Sequence, residues 1–261
     1  MAASRNAVVV VTGASKGIGL AVTRLLLDKF GANVVAISRT TTPELSQLHQ
    51  SHAKSLLIHE CDVTKTSDLN HAISIAEKTF HHIDGLVLNA GVLNPMGKIS
   101  STDISLDEWK SHFDVNFFSL ITTLRATLPA LRESDLGGRV VFTSSGAATG
   151  NLAGWGPYNT GKAALNSLCR TIAEEEPQVT FVALRPGKVD TPMQAVLRTE
   201  GAGRMEDKDH QDFVQTHEQG KLLKPEDPGH VIASLALNAT KDLTGQFVSW
   251  DSDTCKPYRK D

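Results

Sequence analysis

The sequence of 261 residues has few tyrosines and no large excess of charge of either sign. Its two tyrosines are Tyr158 and Tyr258, so a phenol that carries chemistry can stand at only two positions. The 26 basic and 29 acidic side chains leave a formal net charge of −3, which argues against nucleic acid as a partner because such binders usually carry a basic excess. The chain also lacks any run of about 18 consecutive apolar residues, so we expect no membrane span.

Cysteine is scarce as well, and its three positions, Cys61, Cys169 and Cys255, are widely spaced without a CxxC pair. This pattern predicts reduced thiols and neither a disulfide framework nor a zinc site. The histidines lack a third ligand at useful spacing, so no metal is expected. The first residues do not form the apolar stretch of a signal peptide, which together with the thiols predicts a globular protein of the cytoplasm.

Short apolar runs rich in β-branched residues alternate with longer amphipathic stretches. The runs predict strands at residues 7–12, 33–38, 55–59, 85–89, 139–143, 180–184 and 245–250. The stretches predict helices at residues 17–30, 43–52, 67–81, 106–132, 158–175 and 225–238. The alternation is typical of an α/β fold, so we expect a Rossmann-type doubly wound parallel sheet of about seven strands in three α/β/α layers. No repeat or linker interrupts it, and residues 1–261 are expected to form one domain.

One segment departs from this alternation. Residues 198–212 carry eight charged side chains and no apolar periodicity, which is typical of a solvated surface loop. The segment also follows the sixth predicted strand, and ligands of open α/β sheets bind beyond the carboxyl ends of the strands. Long loops in compact domains often cover such sites, so the alternative is a substrate lid, which we place at residues 192–223.

The residues after the first predicted strand, from Thr12 to Gly19, spell TGASKGIG. Gly13 can adopt the positive φ that turns the chain off the strand. Gly17 and Gly19 have no side chain, which lets a pyrophosphate approach the helix N-terminus, where unpaired N–H groups favour an anion. The strand before and the helix after predict a dinucleotide-binding loop rather than a mere tight turn. Its expected cofactor contacts are Gly13, Ser15, Lys16, Gly17, Ile18 and Gly19.

With the motifs that follow, this loop resembles the classical short-chain dehydrogenase/reductases, whose signature is TGxxxGxG. Tyr158 and Lys162 match the YxxxK motif of that family, and Ser145 lies thirteen residues before the tyrosine. Asn116 matches the helix asparagine of the same active site. The resemblance covers roughly residues 7–248 and implies a catalytic set of Asn116, Ser145, Tyr158 and Lys162.

The resemblance also implies cofactor contacts beyond the phosphate loop. They comprise an adenine contact after the third strand, an NAG motif after the fourth, a PGxVxT motif after the sixth that holds the nicotinamide carboxamide, and the active-site tyrosine and lysine. The corresponding residues are Asp62, Val63, Asn89, Ala90, Gly91, Pro186, Gly187, Val189, Thr191, Met193, Tyr158 and Lys162.

These residue types suit carbonyl reduction, which adds a hydride to carbon and a proton to oxygen. A phenol exchanges protons poorly at neutral pH because its ordinary pKa is about 10. Lys162 lies four residues after Tyr158 on the same helix face, so we expect its charge to lower the pKa of the phenol and Tyr158 to act as general acid and base. Ser145 would hydrogen-bond the substrate oxygen. The resemblance assigns the ribose hydroxyls to Lys162 and a proton-passing water to Asn116.

The cofactor type follows from the end of the second predicted strand. An acid there would bind the ribose 2′-hydroxyl of NAD. This chain has Ser38 and Arg39 instead, with Lys16 in the phosphate loop, and two cations can bind a 2′-phosphate through charge-assisted hydrogen bonds. We therefore predict NADP(H); two unrelated surface cations are the alternative.

The substrate is indicated less directly. Residues 186–194 resemble the benzil reductase and sepiapterin reductase branch, which reduces vicinal dicarbonyls or related ketones with NADPH, although Lys188 stands where an apolar residue is often found. An apolar cleft for a small carbonyl compound is expected. Its substrate contacts are predicted as Ser145, Ala147, Leu152, Trp155, Tyr158 and Met193.

Two alternatives stay open at this point. A sepiapterin-type reductase would anchor its pterin with an acid near the C-terminus, for which Asp251 and Asp253 are candidates, although a solvated tail accounts for them better. A redox-sensing binding protein without turnover would typically have lost the active-site tyrosine or lysine, and this chain keeps both. The family also implies a homodimer or homotetramer through residues 106–132 and 158–175. Tyr258 lies in a charged tail and is expected to be incidental.

Overall fold

The computed structural model describes residues 5–260 and contains a seven-stranded, wholly parallel sheet in the order β3-β2-β1-β4-β5-β6-β7. The direction in which successive strands are added to the sheet reverses between β1 and β4, as in a doubly wound sheet. The Rossmann-type fold expected from the sequence is confirmed. The strands are β1 (Val8–Thr12), β2 (Asn33–Ser38), β3 (Leu56–Glu60), β4 (Gly85–Leu88), β5 (Arg139–Thr143), β6 (Thr180–Arg185) and β7 (Gln246–Ser249).

Helices cover both faces of this sheet. They are α1 (Gly17–Asp28), α2 (Pro43–Ser51), α3 (Thr66–Phe80), α4 (Leu106–Phe113), α5 (Ser119–Arg132), α6 (Gly156–Glu175), α7 (Pro192–Glu200), α8 (Asp207–Glu218) and α9 (Glu226–Asn238). The single helix expected over 106–132 is interrupted by a π-helical segment, Asp114–Phe118, which joins α4 to α5. Such segments occur frequently at functional sites.

The core consists of two apolar layers separated by the sheet. Because side chains alternate along a strand, Val8 and Val10 of β1 face the cluster that includes α3, α5 and α6, whereas Val9 and Val11 face the cluster that includes α1 and α9. All four valines are fully buried. Burial on both faces explains why the strands are continuous apolar runs rather than alternating ones.

The charged segment at 198–212 is a loop only at residues 201–206, and the expectation of a loop is wrong for the rest of it. It contributes the end of α7 and the first half of α8, which packs through the buried Phe213. Asp207 and Asp209 in the first turn of α8 favour its N-terminus through the helix dipole. Three apolar residues, spaced too far apart to form a visible period, hold both helices on the protein: Leu197, Met205 and Phe213.

Tyr258 is not incidental either. It ends a 3₁₀ segment, Asp253–Tyr258, and is buried in the layer formed by α1 and α9. Its hydroxyl oxygen accepts a hydrogen bond from the backbone N–H of Thr240 at 3.3 Å. Residues three apart eclipse in a 3₁₀ helix, so Cys255 and Tyr258 point to the same side although their neighbours are charged.

The remaining composition-based expectations concern cysteines and membranes. Cys61, Cys169 and Cys255 are buried and unbridged. Of the helices in residues 5–260, none has the length and apolar character needed to cross a membrane.

Candidate active site

A cleft of about 970 Å³ opens at the carboxyl ends of the strands. It receives residues from the segments that follow β1 to β6, as expected for an open α/β sheet. Every site residue expected from the sequence lines this cleft except Gly19 and Asn116, which lie buried directly behind its surface. The fold therefore brings the predicted phosphate loop, active-site residues and substrate contacts together in one place.

The loop after β1 is shaped for close approach of a ligand. Gly13 has φ +68°, and a Cβ on Gly19 would lie 2.2 Å from the Gly13 carbonyl oxygen, so only glycine fits there. Asn89 holds the loop by donating from Nδ2 to the carbonyl oxygens of Thr12 (3.1 Å) and Gly13 (3.2 Å). The N-cap residue of α1, Lys16, makes no side-chain capping bond. The first N–H groups of α1 thus face a glycine cradle that fits a pyrophosphate.

The end of β2 supplies positive charge to the same cleft. Arg39 and Lys16 are exposed and line it, whereas Ser38 is buried and donates from Oγ to the Thr40 carbonyl oxygen at 3.0 Å. Hydrogen bonds from Thr64 lower the pKa of Asp62, and the charge of Arg39 acts in the same direction. The cleft therefore offers one cation after β1, one cation after β2 and one carboxylate after β3.

Tyr158 and Lys162 lie in the first turns of α6, and both are almost fully buried. Lys162 Nζ is 5.6 Å from the centroid of the Tyr158 ring and donates to the Thr143 carbonyl oxygen at 2.7 Å. Burial raises the pKa of the phenol, and a hydrogen bond with Ser145 opposes that rise. Burial also lowers the pKa of Lys162 to about 8. A net lowering of the phenol pKa, expected from the i+4 lysine, is thus not found, because loss of hydration outweighs the hydrogen bond with Ser145.

The geometry distinguishes two adjacent serines after β5. Ser144 is buried and donates from Oγ to Asn166 Oδ1 at 2.7 Å, which fixes β5 to α6. Ser145 lines the cleft, and its Oγ accepts from the Ala147 N–H at 3.1 Å. The proton of Ser145 can therefore point toward a ligand, whereas that of Ser144 is already donated inside the protein.

Asn116 lies in the π segment with its side chain wholly engaged. Its Nδ2 donates to the Val92 carbonyl oxygen at 2.8 Å and to His112 Nε2 at 2.7 Å, and its Oδ1 accepts from the Val92 N–H at 2.8 Å. His112 Nδ1 in turn lies 2.9 Å from the Asn94 carbonyl oxygen, which assigns the ring proton to Nδ1. Burial and the charge of Lys162 lower the pKa of His112, so its ring is neutral at pH 7. Sequence reasoning missed this histidine, although its position four residues before Asn116 is the helical spacing that links Tyr158 to Lys162.

Apolar side chains form the outer wall of the cleft. Phe213 of α8 stacks on Trp155 with a centroid distance of 5.5 Å and an interplanar angle of 20°. Trp155 meets Tyr158 edge-on at 5.5 Å and 88°. Phe213 was also missed, and the available signal is that it is the single aromatic residue among 192–223. Trp155, Tyr158 and Phe213 belong to one apolar cluster, whose other members are Leu93, Met96, Ala147, Leu152, Met193, Val196, Leu197 and Met205.

The two aspartates considered as an acidic anchor lie outside the cleft. Asp251 and Asp253 are exposed and do not line the cleft, and Asp251 accepts a hydrogen bond from Ser249 Oγ at 2.5 Å. Neither aspartate therefore lies at the cleft, where a sepiapterin-type site would need its acidic anchor. Over the described range 5–260, no group of three or more His, Cys, Asp or Glu side chains is arranged to hold a metal ion.

Comparison with known proteins agrees with this geometry. The family model for short chain dehydrogenases matches residues 7–202. An uncharacterised oxidoreductase from Schizosaccharomyces pombe is 41% identical over 97% of this chain and 99% of its own length. A benzil reductase, (S)-benzoin forming, from Saccharomyces cerevisiae is 35% identical over 97% of this chain and 98% of its own length. The crystal structure of a short-chain dehydrogenase/reductase from the same yeast superimposes with a TM-score of 0.92 at 34% identity, covering 98% of this chain and 100% of that one. The chain belongs to the short-chain dehydrogenase/reductase family and is an oxidoreductase.

Proposed function

We propose that this oxidoreductase is an NADPH-dependent carbonyl reductase that converts a ketone or vicinal diketone to a secondary alcohol. The observation that carries the proposal is the position of Tyr158 and Ser145 between the phosphate loop and the apolar wall of one cleft. A carbonyl group placed there has two hydroxyl donors for its oxygen. It also lies next to the segment that the family uses to hold a nicotinamide.

The glycine cradle and the cations of the cleft would hold the cofactor. Gly13, Gly17 and Gly19 admit the pyrophosphate to the N-terminus of α1. Lys16 and Arg39 suit a ribose 2′-phosphate, since β2 is followed by a cation rather than by the acid that selects NAD. When bound, the reduced dinucleotide supplies the hydride.

Tyr158 donates the proton in this mechanism. Its raised pKa keeps the phenol protonated at neutral pH, which is the form that reduction requires. Ser145 donates to the carbonyl oxygen while negative charge develops there. The tyrosine then carries the charge, and the Lys162 ammonium, close to its ring, stabilises it. A pKa of about 8 allows Lys162 to return a proton near neutral pH.

The substrate proposal follows from the wall of the cleft. Trp155, Phe213 and the surrounding apolar side chains provide area for a hydrophobic group beside the carbonyl. The yeast relative named as a benzil reductase is 35% identical to this chain over 97% of its residues. Both observations support a vicinal diketone with an apolar substituent, covered by α7 and α8 as a lid.

NADPH oxidation in the presence of a panel of diketones tests this function, with Tyr158→Phe as the inactive control. We expect turnover with the wild type and a loss of at least about 100-fold in the variant, because a general acid is removed. Tight NADPH binding without turnover on any carbonyl would instead support the redox-sensing protein.

The family also suggests how copies of the chain associate. Leu106 of α4 is 69% exposed and Phe118, next to α5, is 52% exposed, so two of the four large apolar side chains that are exposed within residues 5–260 lie on or beside these helices. We propose that this surface, together with α6, forms the contact of a homodimer or homotetramer. Light scattering of the wild type and of Phe118→Glu tests this, since a charge at a buried interface should favour the monomer.

A further inference from the structure

Lys188 lies between β6 and α7, in the segment that would hold the nicotinamide. Its ammonium group forms an ion pair with Asp212 and lies 3.5 Å from Thr216 Oγ1. The same Nζ is 5.0 Å from the centroid of the Phe213 ring. One cation on the cofactor side of the cleft therefore contacts three residues of α8.

Backbone hydrogen bonds attach the end of the lid to the same segment. The N–H of Leu223 donates to the Lys188 carbonyl oxygen at 2.9 Å, and the N–H of Asp190 donates to the Leu223 carbonyl oxygen at 2.9 Å. The chain that leaves α8 is thus fixed at Lys188, and the side chain of Lys188 reaches back to the middle of that helix.

Phe213 connects this contact to the wall of the cleft beside the reacting groups. It is 8% exposed and stacks on Trp155, which is 5% exposed and meets the Tyr158 ring edge-on. Gln194 Nε2 donates to the Phe213 carbonyl oxygen at 3.4 Å. A continuous series of side-chain contacts therefore runs from Lys188 through two aromatic rings to the phenol.

The cation acts mainly through the ring. The ion pair joins side chains that are 39% and 61% exposed, and pairs of that kind contribute little because water screens them. A cation over an aromatic face contributes more as water is removed from the contact, and the Phe213 side of this contact is buried. Removing the charge of Lys188 should therefore disturb Phe213 more than removing the charge of Asp212.

We propose that Lys188 is a positioning residue that determines specificity: it holds Phe213 flat against Trp155, so that the cleft presents an aromatic wall to an aryl group beside the reacting carbonyl. This inference rests on the proposed carbonyl reduction. A substrate with a small alkyl group at that place does not reach the wall and gains nothing from it.

The test compares two diketones that differ in one group, 1-phenyl-1,2-propanedione and 2,3-butanedione, with NADPH as reductant. In Lys188→Met the KM for the phenyl compound should rise about fivefold, with kcat changed less than about twofold and the KM for butanedione unchanged. Phe213→Leu should raise the KM for the phenyl compound in the same selective way, and Asp212→Asn should raise it less. Lys188→Arg keeps the positive charge and should keep the wild-type KM. Lys208→Met makes the same substitution at an exposed lysine of α8 and should change neither KM.

Amide hydrogen exchange gives a readout that does not depend on turnover. Exchange in α8 should be faster in Lys188→Met than in the wild type and unchanged in Lys208→Met. Equal effects on both diketones, or wild-type exchange in Lys188→Met, overturns the inference. A wild type that oxidises NADPH with neither diketone contradicts the proposed function, and the exchange comparison then still shows whether Lys188 positions α8.

Discussion

The amide of Asn116 donates a hydrogen bond to the imidazole of His112 at 2.7 Å, one helical turn earlier in the chain. Both side chains are 1% exposed. Because His112 Nδ1 faces the Asn94 carbonyl oxygen, its Nε2 must be the acceptor, which requires a neutral ring. The orientation of a proposed active-site amide therefore depends on a residue that does not line the cleft.

His112→Leu should lower both stability and activity. The Asn116 amide would lose one of its two acceptors in a buried place, which costs about 1–3 kcal/mol of unfolding free energy. A rotated Asn116 would also reduce kcat, whereas His112→Gln retains an acceptor and should restore much of both. Urea denaturation and steady-state kinetics measure the two effects. Equal losses in the two variants would show that only the volume of the ring matters.

The pH dependence should reflect the buried lysine. Burial lowers the pKa of Lys162 to about 8, so its ammonium loses charge as the pH rises through that value. We expect kcat/KM for NADPH to fall above about pH 8, because this parameter reports groups of the free enzyme. Initial rates across a pH series with buffer controls measure it. A profile that stays level up to the ordinary lysine range, about pH 10, contradicts the role of this residue.

Cofactor preference should move when the charge after β2 is inverted. Ser38→Asp combined with Arg39→Leu places an acid at the ribose and removes one cation from the 2′-phosphate site. The ratio of kcat/KM for NADPH to that for NADH should fall about 100-fold. Arg24→Leu removes an exposed arginine of α1 outside the cleft and serves as the control. An unchanged ratio in the double variant would exclude Arg39 as a phosphate ligand.

The C-terminal segment should contribute to stability through Tyr258. Tyr258→Phe removes only the hydrogen bond to Thr240 and should cost about 1 kcal/mol of unfolding free energy. Tyr258→Ala also leaves a cavity in the layer formed by α1 and α9 and should cost about 3–5 kcal/mol. Thermal or urea denaturation distinguishes the two. Wild-type stability in the alanine variant would mean that the segment does not pack in solution.

Much of the fold is visible in the sequence because its strands are buried on both faces. Continuous apolar runs such as Val8–Thr12 are typical of buried parallel strands, and the strand–helix alternation fixes their parallel arrangement. The candidate site residues could be predicted because they follow these strands and helices at short spacings in the sequence, as Lys162 follows Tyr158. Local spacing and strand ends carry that information.

The contacts that sequence reasoning missed are long-range ones. Phe213 reaches Trp155 from a helix whose other residues are largely charged, and no periodicity marks it. Lys188 meets Asp212 across 24 residues. The pKa of Tyr158 is raised by burial, which the spacing to the lysine at i+4 does not reveal, because burial is a property of the assembled fold.

The π segment Asp114–Phe118 also has a consequence for protein engineering. A π turn corresponds to one residue more than an α turn, so deleting one residue would return the helix to regular α spacing. Such a deletion would leave α4 and α5 facing nearly the same way, since the residue removed is the extra one, but it would shift Asn116 away from Val92. Helix-regularising designs would thus make this region more stable at the expense of the site, and the length of this segment matters as much as its residue types.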